Sequence, residues 1–469
     1  MPMKSDSALK RSLGSTGLFT HPLGFGCYRI ADGNAEHEAA LRDYIERGGN
    51  LIDTSANYTD GQSEVLVGKV LQSYSRDRAI VVTKAGYIQG QNMTLAQSRS
   101  FPEVVKYGEG IWHCIHPDFL ETQIALSTER LQLETIDIFL LHNPEYFLSH
   151  QAHQKRLDAE DHKEFYRRIG QAFQFLEHKV RQGKIRWYGT SSNNYGLAAS
   201  DPAMTSVARC LAEAEGISPA HHFRVIQLPM NLYESGGAIE LNNQGQTVLD
   251  FCRARGLGVL INRPLNAFFD NQMIRLADFA KPGSRTPQIE ELSTLLSPLR
   301  KHEELLLEEI QVSPIGGREK LVKILEQIVP QLKSVDHWEQ VVSHYVIVPL
   351  QRWIEDNSKK LGNNVSWGVW LEQFFPILHE TFEEIERFVQ AQQQSVSDQV
   401  RHKLRQAGMT DDSPTLSQIA LSVLLNLDGV SCVLNGMRRR TYVQDALESI
   451  LLPPIDALHL LKNFRNQLS

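Results

Sequence analysis

The chain has 469 residues, 42% of them hydrophobic and 22% charged, and its formal net charge of −7 argues against nucleic-acid or anionic-membrane partners. It has no apolar stretch long enough for a transmembrane helix, and its N-terminal segment lacks the apolar core of a secretory signal. Five scattered cysteines without a C-x-x-C pair are typical of a reducing compartment. We therefore expect a cytoplasmic globular protein.

Short β-rich runs alternate with amphipathic helical patterns along most of the chain. The opening "LKRSLGSTGLFTHP" predicts a short hairpin. Eight candidate strands follow, at 22–26, 50–54, 79–84, 136–142, 184–190, 224–229, 258–263 and 429–434. Several are continuously apolar, as expected for parallel strands covered by helices such as the one predicted at 117–133. This alternation predicts an α/β fold of the (β/α)8 TIM barrel type, and the missing Gly-x-Gly-x-x-Gly argues against a Rossmann domain.

The excess length lies between strand seven and the following barrel helix. Two apolar stripes of helical period occur there, and four of the six tryptophans lie in the same segment. The stripes consist of Ile289, Leu292, Leu295, Leu296 and Leu299, and of Leu321, Ile324, Leu325 and Ile328. We therefore predict a barrel formed by 1–265 and 413–469, with a large all-α insertion at 284–405.

Polar side chains stand at the ends of three successive predicted strands. Asp53 ends strand two, Lys84 ends strand three and His142 ends strand four. Tyr58 lies in the loop beyond strand two. Because reactive side chains of a (β/α)8 barrel lie at the C-terminal ends of its strands, these four could converge. Each residue, taken singly, also has a purely structural interpretation. Asp53 could cap a helix or loop, Tyr58 could pack in the core and Lys84 could be solvated. His142 could be a hydrogen-bonded core residue.

The residue types suggest proton donation to an oxygen atom. A tyrosine is a weak acid at neutral pH, and a nearby ammonium such as that of Lys84 is expected to lower the pKa of the Tyr58 hydroxyl. Asp53 could hold Lys84 in place, and His142 could orient a carbonyl oxygen. The hydride that completes a reduction must come from a cofactor, since no side chain carries one.

These segments resemble the aldo-keto reductase family. "NLIDTSANY", "VVTKAG" and "LSTERLQLETIDIFLLHNP" are similar to the family's signatures, and "LGSTGLFTHPLGFGCYRI" is similar to its opening. The resemblance covers roughly 10–265 and 413–450 and omits the insertion. It implies a (β/α)8 barrel, NADPH as cofactor with NADH possible, and a catalytic tetrad at Asp53, Tyr58, Lys84 and His142.

The resemblance also implies cofactor contacts near the strand ends. They are Asp53, Ser191, Ser192, Asn193, Gln227, Arg263, Pro264, Leu265, Gly436, Arg438 and Arg439. Ser192 stands where the family has an asparagine, so either Ser192 or Asn193 could hold the nicotinamide amide. Arg263 could reach the diphosphate or form an inter-loop salt bridge. Arg438 and Arg439, at a helix start, could grip the adenosine phosphate or form a solvated basic cluster.

The sequence thus predicts an NADPH-dependent reductase of a small-molecule carbonyl substrate, either an aldehyde or a ketone. "HCIH" at 113–116 could suggest a metal site, but a loop cluster fits it better, and we predict no metal. The main alternative is a cofactor-binding regulatory or scaffolding barrel whose helical insertion binds a protein partner. Because the insertion leaves the barrel after strand seven, we favour a lid-like role for it.

Overall fold

The structure is a computed structural model that describes residues 10–280, 291–306, 310, 312 and 320–468. The chain divides into two units, Met1–Leu276 with Lys403–Ser469, and Ala277–His402. Within the described ranges, no helix combines the length and apolar character needed to cross a membrane.

The first unit is built on a closed barrel of eight parallel strands. In chain order they are β1 Leu23–Gly26, β2 Leu51–Asp53, β3 Ile80–Ala85, β4 Ile136–His142, β5 Ile185–Ser191, β6 Phe223–Pro229, β7 Gly258–Asn262 and β8 Cys432–Gly436. Each strand pairs with its neighbour in sequence, and β8 closes the barrel on β1 with Val433 opposite Leu23. The predicted (β/α)8 fold is therefore confirmed, and the last strand begins three residues and ends two residues later than expected.

Helices follow the strands around the barrel. They are α1 Ala35–Glu46, α2 Gln62–Leu71, α3 Gln91–Ser98, α4 Pro117–Leu131, α5 Tyr146–Gln154, α6 Ala159–Arg181, α7 Val207–Ile217, α8 Gly236–Ile239 and α9 Val248–Ala254. After the insertion come α16 Leu416–Leu425, α17 Arg440–Glu448 and α18 Ala457–Arg465. Capping residues fix several starts; Thr415, for example, accepts a hydrogen bond from the Gln418 main chain and begins α16.

Apolar side chains from several barrel strands fill the barrel interior. Leu51, Val82, Leu140 and Leu260 belong to this fully buried cluster. Leu13 joins them from the predicted N-terminal hairpin, in which Arg11–Ser12 pairs antiparallel with Phe19–Thr20. The hairpin therefore contributes an apolar side chain to the barrel core, and burial of such a side chain stabilises the fold by roughly 1.5–3 kcal/mol.

Two small antiparallel sheets were not predicted from the sequence. One lies in the segment after β3 and contains Tyr87–Ile88, Val105–Gly108 and Ile111–His113. The other is a hairpin after β7, in which Asn266–Phe269 pairs with Gln272–Arg275. Both follow C-terminal ends of barrel strands, where the site residues were expected.

The described part of the second unit is helical. Its elements are α10 Leu292–Leu295, α11 Ser297–Leu305, α12 Leu321–Ile328, α13 Val335–Val341, a π-helix at Val342–Ile347, α14 Val348–Leu361 and α15 Val365–Gln406, whose last residues enter the first unit. The all-α character is as predicted; the boundary at 284 and the stripe residue Ile289 lie outside the described residues.

An aromatic stack forms part of the core of this helical unit. Trp370 lies parallel to Trp367, with ring centroids 5.6 Å apart, and to Phe374 at 4.6 Å. His302 stacks on the same indole at 4.9 Å. The Trp370 Nε1 atom donates to the His302 carbonyl oxygen at 3.1 Å, so the buried polar N–H has a partner.

Candidate active site

A buried hydrogen-bond network connects four strand ends. The Lys84 ammonium is fully buried and donates to Asp53 Oδ1 and to the Thr54 carbonyl oxygen, each at 2.7 Å. Asp53 Oδ1 also accepts from Gln227 Nε2 at 2.8 Å, and Gln227 Oε1 accepts from Ser191 Oγ at 3.0 Å. Two of the residues expected in catalysis and two expected at the cofactor thus lie in one network.

Tyr58 lies beside this network in a strained loop. Its ring centroid is 5.0 Å from Lys84 Nζ, and its ring meets that of His142 edge-on at 5.9 Å. The next two residues, Thr59 and Asp60, have φ values of 46° and 55°, in the left-handed region that side chains disfavour. Such strain is retained where the surrounding structure holds it, and here it sets the path of the loop that carries Tyr58.

The pKa of Tyr58 differs from the expectation. Burial of the phenol raises its pKa well above the usual value, and the negative charge of Asp53 adds to the effect. The predicted lowering by Lys84 is therefore wrong for this arrangement. The physical reason is that burial penalises the tyrosinate more than Lys84, which is held in a 2.7 Å ion pair with Asp53, favours it.

His142 is buried and neutral. Burial, followed by the positive charge of Lys84, lowers the pKa of its imidazole well below the usual value. Its Nδ1 lies 3.0 Å from Ser55 Oγ. Because Nδ1 is engaged, Nε2 is the ring nitrogen that can contact a ligand.

The two histidines of "HCIH", His113 and His116, form hydrogen bonds that stabilise the loops around this site. His113 Nε2 lies 2.7 Å from the carbonyl oxygen of His142. A Cβ atom on Gly86 would come within 2.4 Å of that same oxygen, so a glycine is needed for this close approach. His116 caps α4 by accepting from the Asp118 main chain. In the described residues, no group of three or more His, Cys, Asp or Glu side chains could hold a metal ion.

An aromatic rim surrounds Tyr58 and His142 and was missed in the sequence. Tyr28 meets Tyr58 edge-on at 5.1 Å and is 64% exposed. Tyr87 meets His142 at 4.7 Å and Tyr146 at 5.2 Å. Their positions shortly after β1, β3 and β4 were the available signal, because residues that follow barrel strands face the open end.

Glu145 was also missed, and it lies among the residues expected at the nicotinamide. Its side chain is buried, and Oε1 accepts from the Asn193 main-chain N–H at 2.7 Å. Burial raises the pKa of Glu145 to about 7, while the hydrogen bond from the Asn193 main chain and the charge of Arg263 act in the opposite direction. Its Oε2 has no hydrogen-bond partner among the described residues.

The two candidates for the nicotinamide amide are placed differently. Ser192 is buried, and its Oγ donates to Thr205 Oγ1 and accepts from the Asn194 main chain, each at 3.1 Å. Asn193 is exposed. The hydroxyl of Ser192 is therefore already engaged in holding the loop after β5.

Arg263 forms the inter-loop ion pair that was the alternative to a diphosphate contact. Its Nη2 lies 2.6 Å from Glu234 Oε1, and its φ of 52° is again left-handed. Glu234 also accepts from the Phe268 main chain, so it links the loops after β6 and β7. Pro264 is buried and Leu265 is partly exposed.

The residues expected at the adenosine phosphate lie after β8. Gly436 ends that strand, is exposed, and has open space where a Cβ would be. Arg438 and Arg439 are partly exposed and precede α17, and Arg439 lies 3.7 Å from Glu36. Both residues thus directly precede a helix N-terminus, where an anion is favoured.

The open end of the barrel fits a polar ligand such as a dinucleotide. Several buried polar atoms near it have no hydrogen-bond partner among the described residues: Glu145 Oε2, Asn262 Oδ1, Arg263 Nε and Asn266 Oδ1. They belong to the loop after β4, to the end of β7 and to the segment after it. Because buried polar groups are normally hydrogen-bonded, these atoms are candidates to contact a ligand with both donors and acceptors.

The closed parallel barrel with polar side chains at its strand ends defines a (β/α)8 protein whose site lies at the C-terminal face. The sequence profile of the Aldo/keto reductase family matches residues 22–458, and the chain belongs to that family.

Individual relatives are more distant. The chain is 28% identical over 141 residues to "NADH-specific methylglyoxal reductase" of Escherichia coli (strain K12), covering 28% of this chain and 41% of the relative. It is 26% identical over 230 residues to "Aldo-keto reductase YhdN" of Bacillus subtilis (strain 168), covering 48% and 54%. It thus spans about half the length of these curated relatives.

A solved structure, "aldo-keto reductase AKR11C1 from Bacillus halodurans (holo form)", is 15% identical with a TM-score of 0.49 and covers 98% of this chain and 96% of its own.

Proposed function

We propose that the protein is an NADPH-dependent reductase that converts an aldehyde or ketone to an alcohol, with Tyr58 as proton donor. The observation that carries the proposal is the meeting of Tyr58, the buried Lys84–Asp53 pair and His142 at one end of the barrel. A phenol, an ammonium and a neutral imidazole around one space suit a carbonyl oxygen that gains negative charge.

Each of these side chains has a separate task. Tyr58 is protonated at neutral pH, because its pKa is raised, and it donates its proton to the substrate oxygen. The resulting tyrosinate lies near the Lys84 ammonium, which stabilises it until solvent restores the proton. Asp53 holds that ammonium in place by accepting its hydrogen bond. The Nε2 atom of His142 contacts the substrate oxygen and orients it.

The cofactor is held by the residues at the ends of β5 to β8. When bound, a reduced nicotinamide cofactor supplies the hydride. Ser191 and Gln227 offer buried polar groups to its amide end, and Arg438 and Arg439 favour the additional phosphate of NADPH. One relative bears the name of an NADH-specific enzyme, so both cofactors belong in the assays.

The test is Tyr58→Phe, which removes only the phenolic oxygen. Carbonyl-dependent oxidation of NADPH should fall by about 10²–10⁴-fold, the usual contribution of general acid catalysis. Cofactor affinity, measured by isothermal titration calorimetry, should change little. Tyr28→Phe is the matched control, because it removes a phenolic oxygen from the neighbouring ring of the rim and should leave most of the turnover.

Turnover of Tyr58→Phe within a few-fold of the wild type would remove Tyr58 from the reaction. A wild-type protein that binds NADPH but oxidises it with no member of an aldehyde and ketone panel would favour the regulatory or scaffolding role instead. We place the reaction in the cytoplasm, because all five cysteines are free and buried.

A further inference from the structure

The carboxylate of Glu64 connects the elements that carry Lys84 and Tyr58. It is fully buried in the first turn of α2, which directly continues the Tyr58 loop, Tyr58–Gly61. Its Oε1 atom accepts from Thr83 Oγ1, and Thr83 precedes Lys84 in β3. Because successive side chains of a strand point to opposite faces, Thr83 can contact a helix while Lys84 points into the barrel. One carboxylate oxygen therefore links the strand of Lys84 to the helix that begins where the Tyr58 loop ends.

The other oxygen of this carboxylate binds Arg130, near the end of α4. Arg130 Nε donates to Glu64 Oε2 at 2.7 Å, and the Arg130 side chain is partly buried. The same side chain packs against the end of the Tyr58 loop, since a Cβ atom on Gly61 would come within 3.0 Å of Arg130 Cδ. A Cβ atom on Gly68 would lie 2.4 Å from the Arg130 carbonyl oxygen, so α2 and α4 approach closely. The ion pair therefore holds the start of α2 between β3 and α4.

Ser63 makes a corresponding contact with the end of β2. Its Oγ atom lies 2.8 Å from Thr54 Oγ1 and donates to the Cys27 carbonyl oxygen at 3.1 Å. Both hydroxyl side chains are fully buried. Thr54 directly follows Asp53, which accepts from Lys84 Nζ inside the barrel. The start of α2 thus contacts the chain neighbours of both members of the Asp53–Lys84 pair.

The Tyr58 loop depends on anchors of this kind, because its backbone is strained. Strained residues keep their conformation only where the surrounding contacts hold them. Thr59 donates to the Ile30 carbonyl oxygen at 2.7 Å, and Asp60 accepts from the Gln91 main chain at 3.0 Å, but Thr59 and Asp60 are exposed. The Glu64 carboxylate is fully buried, so its charge is screened much less by solvent and salt. It is therefore the firmer of these anchors.

We propose that Glu64, held by Arg130, is a positioning residue that sets the place of Tyr58 relative to Lys84. The proposal rests on the proposed function and adds to it the contact that fixes the proton donor beside the ammonium. Glu64 acts through Thr83 and through the start of α2, not through the ligand. A misplacement of about 1 Å can lower turnover about a hundredfold, so the contact should affect rate more than binding.

The experiment removes one link at a time. Thr83→Val removes the hydroxyl donor with little change in shape, and Thr83→Ser restores a hydroxyl. Glu64→Gln keeps an oxygen that can accept from Thr83 but removes the charge that binds Arg130. Asp137→Asn is the matched control, because Asp137 is a buried, ion-paired carboxylate that also accepts from β3, at the Val81 main chain near the N-terminal end of that strand.

Steady-state kinetics and NADPH affinity are measured at a temperature at which circular dichroism shows each variant to be folded. Thr83→Val and Glu64→Gln should lower kcat roughly ten- to hundredfold, while KM and the Kd for NADPH change little, because the bound ligands keep their own contacts. Thr83→Ser should regain most of the wild-type kcat. Asp137→Asn should lower the Tm and leave kcat near that of the wild type.

A second measurement does not require turnover. In protein labelled with tyrosine at 13Cζ, the Tyr58 resonance is the one that disappears in Tyr58→Phe. This resonance should move in Thr83→Val and in Glu64→Gln, because the phenol changes its position relative to the Lys84 charge. It should stay in place in Asp137→Asn.

A purely structural role for Glu64 predicts a different set of results. Wild-type kcat and an unmoved Tyr58 resonance in folded Thr83→Val would overturn the inference, and so would an equal loss of kcat in Asp137→Asn. If Glu64→Gln does not fold, Thr83→Val and its rescue by serine decide alone. If the wild type reduces no carbonyl compound, the proposed function fails, and the Tyr58 resonance still decides whether Glu64 positions the phenol.

Discussion

Replacing Glu145 by glutamine should change how stability depends on pH. The pKa of the folded carboxyl is about 7 and the ordinary value is 4.5, so the folded state binds the proton more tightly than the unfolded state. The folded state therefore favours the neutral carboxyl. The resulting contribution to the free energy of unfolding is fully present below pH 4.5. It is lost as the pH rises through about 7, because the buried group must ionise.

The size of this effect follows from the two pKa values. At about 1.4 kcal/mol for each pH unit, the separation corresponds to about 3 kcal/mol of stability lost by the wild type between acid and neutral pH. Glutamine does not titrate, so Glu145→Gln lacks this loss. Its stability relative to the wild type should therefore improve by about 3 kcal/mol between roughly pH 4.5 and pH 8.

The assay is urea unfolding of both proteins, followed by circular dichroism at several pH values. Other titrating groups, including the histidines, are common to both proteins and cancel in the difference. The fixed cost of burying an amide also cancels, since it does not depend on pH. A difference that stays constant within about 1 kcal/mol over this range would refute the raised pKa and the burial from which it was derived.

Three further predictions concern the loop of Tyr58, the arginine pair and the insertion. Asp60→Gly should be more stable than Asp60→Ala by about 1 kcal/mol in thermal unfolding, because φ is 55° and both variants lose the same hydrogen bond to Gln91; equal stability would argue against backbone strain. Arg438→Ala should weaken NADPH about ten- to hundredfold and NADH far less, and equal weakening would point to the diphosphate or to folding. Replacement of 277–402 by a Gly/Ser linker should leave NADPH binding intact, because the candidate site residues lie in the other unit. Its turnover or substrate range should change, as a lid-like insertion after strand seven predicts, and unaltered kinetics on every substrate tried would exclude that role.

The sequence was most informative where a local pattern decides the structure. The strand at Ile136–His142 was predicted to the residue, because an apolar run interrupted only by Asp137 begins after a helix and ends in a histidine. The predicted strand ends then located Asp53, Lys84 and His142 at one end of the barrel, because the C-terminal ends of its parallel strands lie on the same face.

The features of the site that could not be predicted from the sequence depend on contacts between residues that are distant in the chain. Glu145 reads as an ordinary loop glutamate until Asn193, 48 positions away, is placed beside it. The Arg263–Glu234 pair joins residues 29 positions apart. The direction of the Tyr58 pKa shift depends on burial and on the charge of Asp53, and a list of residue types contains neither.

The stacked indoles of the helical unit determine which part of this protein tryptophan spectroscopy observes. Of six tryptophans, four lie in that unit, and the parallel rings of Trp367 and Trp370 are close enough for their excited states to couple. Near-ultraviolet dichroism and emission will therefore be dominated by the helices. Trp112 and Trp187 are the two indoles of the barrel unit, so a melting curve followed by fluorescence would mostly trace the insertion and could miss the loss of the barrel altogether.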